Sequence, residues 1–131
     1  MASFNVSILF KTPPKILLGL WILGCGGNVL AASAVEYVQS VEQINADYQK
    51  ESRQFLKGLN PQQQGFSASQ NQQFCAIVQR YVDRLYKAVD QNRAYLDRQY
   101  QNVGKQDVIL QVKSSKEMQL LKRYNVDCNL Q

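Results

Sequence analysis

Apolar positions along the chain recur at two distinct spacings, and a third stretch is apolar without any period. Between residues 35 and 59 they step by three and four: Tyr37, Val41, Ile44, Tyr48, then Phe55 after polar Glu51. That rhythm is one face of an α-helix. Gly58 is expected to end this helix in the left-handed conformation, and Asn60-Pro61 to prevent its resumption. Residues 58–69, GLNPQQQGFSAS, form the clearest break, with two glycines, one proline and three consecutive glutamines. Neither side could bury a core alone, so the break reads as a connection inside one domain.

Ser69 and Gln72 have capping-box spacing, which predicts a helix start there. Residues 71–100 contain no glycine or proline, and Phe74, Val78, Tyr81, Leu85, Ala88, Asn92 and Tyr95 repeat at helical steps, flanked by Ile77, Val82, Val89 and Leu96. The stripe is wide enough to face two neighbours. At 1.5 Å per residue it predicts a rod of roughly 45 Å ending at Gly104. Asp107 is the expected cap of a third element over residues 108–123. Its opening VILQV suits a short strand by β-branched content, whereas the following KSSKEMQLLKRY favours helix, and the whole is read as helix.

The aperiodic stretch lies at the other end. Lys11 and Lys15 precede an apolar run over residues 16–30, interrupted by glycines, Cys25 and Asn28. A basic region followed by an apolar one is the layout of a secretory signal. A membrane span needs about 20 predominantly apolar residues, and this run falls short unless extended through Ala34. Three readings follow. Cleavage after Ala34 leaves a single domain of residues 35–131, with residues 1–34 discarded as a signal peptide. Alternatively Ile22-Leu23-Gly24-Cys25 resembles a bacterial lipobox, and Cys25 is lipidated. In the third, the run stays uncut as an anchor.

Export changes the meaning of the cysteines. With Cys25 removed or acylated, Cys75 and Cys128 remain, and in an oxidising compartment such a pair in a small domain reads as a structural disulfide. Closing a loop of about 54 residues stabilises a fold by roughly 4 kcal/mol in the chain-entropy model. An antiparallel hairpin bent at Gly104 would bring the two cysteines to one end if the last residues are extended. The predicted fold class is therefore all-α: a small three-helix bundle, with coiled-coil-like packing, built on a long helical hairpin stapled by Cys75 and Cys128.

Charge adds less. The whole chain carries 15 lysines and arginines against 10 acidic residues and no histidine. The excess suits solubility and does not argue for nucleic acid. The missing histidine removes the commonest general base and metal ligand. No C-x-x-C, nucleophile elbow or phosphate-cradling glycine pattern is present. Asp83, Asp90 and Asp97 at intervals of seven suit a solvated face with Asp83–Lys87 and Arg93–Asp97 pairs better than acid–base chemistry. The expectation is a protein that is not an enzyme and carries no cofactor or metal.

The candidate contact surface is a basic and aromatic face of the long helix: Arg80, Tyr81, Arg84, Lys87, Tyr95 and Arg98. Arginine and tyrosine are enriched where proteins bind one another. The alternative is an ordinary wet face. Asn92 on the apolar stripe could fix register in a homo-oligomer. The sequence thus supports an exported, periplasmic or secreted protein-binding module, such as an inhibitor, an immunity factor or an accessory subunit of an envelope complex. Its partner would be another envelope or secreted protein, with membrane contact only through an uncut leader or lipidated Cys25. The alternative is an envelope structural or chaperone-like protein, tethered through Cys25 as a lipoprotein.

Overall fold

A computed structural model describes residues 28–131, with side chains described from Ala34 onward. The leader's basic region, its apolar run as far as residue 27, the lipobox-like stretch and Cys25 lie outside the described residues. Four α-helices follow one another: α1 (Asn28–Lys57), α2 (Ala68–Gln91), α3 (Lys105–Lys113) and α4 (Lys116–Lys122). Two 3-10 turns, Arg93–Tyr95 and Arg98–Tyr100, join α2 to α3, and no strand occurs among the described residues. Among the described residues the all-helical class holds, with four helices in place of the expected three.

The predicted face of α1 is the buried one, with Tyr37, Val41, Ile44 and Tyr48 all in the core. The expected cut after Ala34 falls inside α1, ahead of the first of these core residues. Gly58 does not close the helix in the left-handed conformation. Its N–H donates to Phe55 O at 3.1 Å and that of Leu59 to Leu56 O at 3.2 Å, so the last turn tightens to i→i+3 bonding. Among the described residues the left-handed positions are Gly65, at φ 84°, and Asn125, at φ 60°.

The capping box that starts α2 is Ser67 with Gln70, two residues earlier than expected. Ser67 Oγ accepts from the Gln70 N–H at 3.2 Å, and Gln70 Oε1 accepts from the Ser67 N–H at 2.9 Å. The loop itself explains the choice, because Gln63 Nε2 donates both to Gly65 O (2.7 Å) and to Gln70 Oε1 (2.8 Å). Gln70 is thereby fixed from two sides.

α2 stops at Gln91 instead of running to residue 100, and Asn92 is the cause. Its Nδ2 donates to Ala88 O at 2.8 Å, occupying the carbonyl that the next helical N–H would use, while its own N–H takes Val89 O at 3.2 Å. The connector is then tied back by Arg93, whose Nε pairs with Asp90 at 2.9 Å and whose Nη1 donates to Gln101 O (2.8 Å) and Val103 O (2.9 Å). Gly104 does not end a rod. It is the N-cap of α3, and the Asp107 carboxylate, three residues on, accepts from its N–H at 2.8 Å.

The VILQV segment is helical, within α3. The third element breaks at a serine pair: Ser114 Oγ donates back to Leu110 O (2.7 Å), and Ser115 Oγ accepts from Met118 N–H (3.3 Å) to start α4. α4 closes on Asn125 in a Schellman arrangement, with Val126 N–H to Leu121 O and Asn125 N–H to Lys122 O, each 3.1 Å.

The long antiparallel hairpin is α1 with α2, turned at residues 58–67, and not α2 with the third element as the sequence suggested. Glu51 meets Arg80 and Asp47 meets Arg84, so position falls along α1 as it rises along α2. α2 is central, packed on one side by α1 and also by α3, onto which α4 folds. At the turn end Phe55, Phe66 and Phe74 form a ring cluster with centroids 5.4–5.6 Å apart. Midway, Tyr48 stacks on Tyr81 at 4.2 Å.

The predicted disulfide between Cys75 and Cys128 is present, with Cα atoms 5.3 Å apart. It joins the second turn of α2 to a tail outside any helix, residues 125–131. In that tail Val126, Cys128 and Leu130 are buried while Asn125, Asp127, Asn129 and Gln131 are exposed, the period of two of an extended segment laid on a core. Gln79 adds a two-point clasp: Nε2 donates to Gln131 O at 2.7 Å and Oε1 accepts from the Gln131 N–H at 3.0 Å.

Candidate docking surface

Of the six residues expected to form a contact face, three are used inside the molecule. Tyr81 is buried, stacked on Tyr48, with its hydroxyl donating to Asn45 Oδ1 at 2.7 Å. It is removed from any surface. Arg80 and Arg84 reach across to α1, pairing with Glu51 at 2.6 Å and Asp47 at 2.8 Å. Hydrogen bonds from Arg84 and then Gln43 hold the Asp47 carboxyl below the usual carboxylate range. Both pairs are solvent-exposed, so water and salt screen them and each contributes little to stability. Lys87 and Arg98 are exposed, and Tyr95 is 41% exposed, but Lys87 lies on α2 and the other two in the 3-10 turns. The six therefore do not make one face.

The expected pairs within one helix are replaced as well. Asp83 binds Lys105 of α3 at 2.9 Å instead of Lys87, and Arg93 binds Asp90 at 2.9 Å instead of Asp97. Arg93 also lies over the Tyr86 ring, 5.8 Å from its centroid. Its hydrogen bond to Asp90 raises the guanidinium's basicity further.

Tyr37, Tyr48 and Tyr81 all keep their protons far above the usual phenol range because burial disfavours the phenolate. Partly buried Glu117 of α4 faces Tyr48 and Tyr81, and burial raises its carboxyl above the ordinary value. Among the described residues no group of three or more histidine, cysteine, aspartate or glutamate side chains could hold a metal ion. Nor is any described helix long and apolar enough to cross a membrane.

Two recesses lie among the described residues. One, of about 90 Å³ between α1 and α2, is flanked by Tyr48, Tyr81 and the already paired Arg80 and Arg84. The other is an open groove of about 270 Å³ lined by Leu110, Lys113, Met118, Lys122, Val126 and Asp127, where α3, α4 and the tail meet. Leu110 is 62% exposed there, and Leu120 and Tyr124 stand exposed nearby in sequence at i, i+4 spacing. Lys116, Lys122 and Arg123 enter no ion pair among the described residues. Sequence reasoning missed this region because its apolar residues fall outside a single helical stripe. The available signal was the basic excess, five basic residues against two acidic between positions 105 and 124.

Comparison of the chain with protein-family models, with curated proteins and with solved structures finds no match. What the fold itself defines is a small all-helical, disulfide-clasped protein. The disulfide indicates an oxidising, non-cytoplasmic compartment.

Proposed function

We propose that this chain is a small exported module, periplasmic or secreted, that binds another protein by surface docking and performs no catalysis. The observation that carries the reading is the C-terminal third. It leaves Leu110, Leu120 and Tyr124 open to solvent beside basic side chains, on a scaffold tied by a covalent bond. An apolar and aromatic patch with a polar, solvent-accessible rim is the anatomy of a contact surface, and Tyr124 and Arg123 are of the residue types enriched there. A clasped scaffold also lowers the ordering cost of binding. Inhibitor, immunity factor and accessory subunit of an envelope complex all fit this mode.

The test is crosslinking in the native host with a photoreactive residue at Tyr124, at Tyr95, and at Gln54 on the exposed face of α1. A single discrete adduct from position 124 supports docking through the C-terminal third. Equal, diffuse adducts from all three positions defeat it. An N-terminus bearing an acyl chain on Cys25, read by intact mass, would favour the tethered structural role instead.

A further inference from the structure

The net charge of residues 28–131 is carried by one region. Residues 28–104 and 125–131 together hold eight basic and eight acidic side chains, whereas residues 105–124 hold five basic and two acidic. The two acids are engaged: Asp107 accepts the Gly104 N–H, and Glu117 is partly buried towards the tyrosine stack. The groove described above lies in this basic region. Met118 and Val126 form a buried floor, Leu110 stands open at its edge, and Lys113 and Lys122 are the cations in its lining. Lys113 is shared with Asp127 at a loose 3.8 Å, and Lys122 is free of ion pairs among the described residues.

Resting on the docking reading, we infer that this groove receives an acidic peptide segment of a partner protein, with one large apolar side chain seated on Met118 and Val126. The volume suits it, since an apolar cavity of about 150 Å³ already accepts benzene and this groove offers about 270 Å³. Charge suits it as well. Carboxylates flanking the seated side chain would meet Lys113 and Lys122, and Asp127 would be the one repulsive contact. The recess is concave, and a concave site suits a seated side chain of a peptide better than the flat surface of a lipid bilayer.

The experiment is an amide NMR titration of the oxidised protein. The probes are an acetylated pentapeptide of glutamates around one phenylalanine, its lysine counterpart, and phosphatidylglycerol–phosphatidylcholine vesicles. The acidic peptide should shift amides of residues 109–127 saturably. Lys122→Glu should weaken binding about tenfold and Leu110→Ser several-fold, and both sites are exposed enough to leave the fold intact. Equal response to the lysine peptide, shifts confined to α1 and α2, or no saturable shift would each overturn the proposal. Vesicle binding abolished by the same substitutions, without peptide binding, would assign the groove to lipid. A Tyr124 adduct persisting while the peptide fails would leave docking standing and refute only the partner chemistry proposed here.

Discussion

The α1–α2 hairpin and the C-terminal third, residues 92–131, share one buried core but take their paths through it by different means. In the hairpin a continuous apolar stripe on each helix meets its counterpart, and the tyrosine stack and phenylalanine cluster fill the seam. No single polar contact decides its course. In the C-terminal third the helices have nine and seven residues, too short to persist alone. Their path is set by individual bonds: Asn92 to Ala88, Arg93 to two carbonyls, Asp107 to Gly104, a serine pair, Asn125 in the left-handed region, and the disulfide. Distributed packing tolerates local change, whereas a path made of single bonds depends on each of them. It also leaves apolar side chains such as Leu110 without cover.

The comparison can be broken in the hairpin by Phe74→Ala. Phe74 is fully buried among Phe55 and Phe66, so urea unfolding should show a loss of about 3–5 kcal/mol. A loss under about 1 kcal/mol would mean that the ring cluster is not the seam's anchor. Next in size, Cys75→Ser should lower stability by about 2–4 kcal/mol. Hydrogen exchange should show protection lost first at Val126, Cys128 and Leu130 while the α1–α2 amides keep theirs. Uniform loss would refute the division between the two regions.

Gly65→Ala probes the seam where the two regions touch. The residue sits at φ 84°, and an added Cβ would lie 3.1 Å from Tyr124 O, so a cost of about 1–2 kcal/mol is expected in thermal unfolding. The smallest effect is Glu117→Gln. Burial raises the folded-state carboxyl above its unfolded value, so protonation favours the fold; that contribution is present below the unfolded pKa and lost as pH rises through the raised folded one. At pH 7 the glutamine variant should therefore be the more stable by about a few tenths of a kcal/mol, discounted for partial exposure. The gap should close as pH falls to about 4. A gap independent of pH would show that the carboxyl's charge is not responsible.

The same division governs what could be read from residues alone. Of the periodic positions of α1, Tyr37, Val41, Ile44 and Tyr48 are core and Phe55 is half-buried against it, and in α2 Phe74, Val78, Tyr81, Leu85 and Ala88 are core. The disulfide partners were legible too, from redox logic and parity. Asn92 was placed on the apolar stripe, yet its side chain is what ends α2, because short-range competition for a carbonyl leaves no periodic trace. The tail's alternation of Val126, Cys128 and Leu130 with Asp127, Asn129 and Gln131 was available as a signal of extended chain. An extended tail is also the condition on which the pairing of Cys75 with Cys128 rests. The contact face was drawn without the partners that other helices supply. Arg80 and Arg84 find their acids 29 and 37 residues away on α1, and Asp83 finds Lys105. Spacing within one helix cannot see those partners.

By itself, then, the sequence determined the helical class, the buried faces of the two long helices and the cysteine pairing. Periodic burial and thiol chemistry are properties of residue order and compartment. Tertiary structure alone decided which helices form the hairpin, where α2 stops, and which charged side chains are spent on neighbours and which stay open to a partner. Those outcomes turn on a few hydrogen bonds and ion pairs between elements, whose small energies count only once packing has brought the groups together.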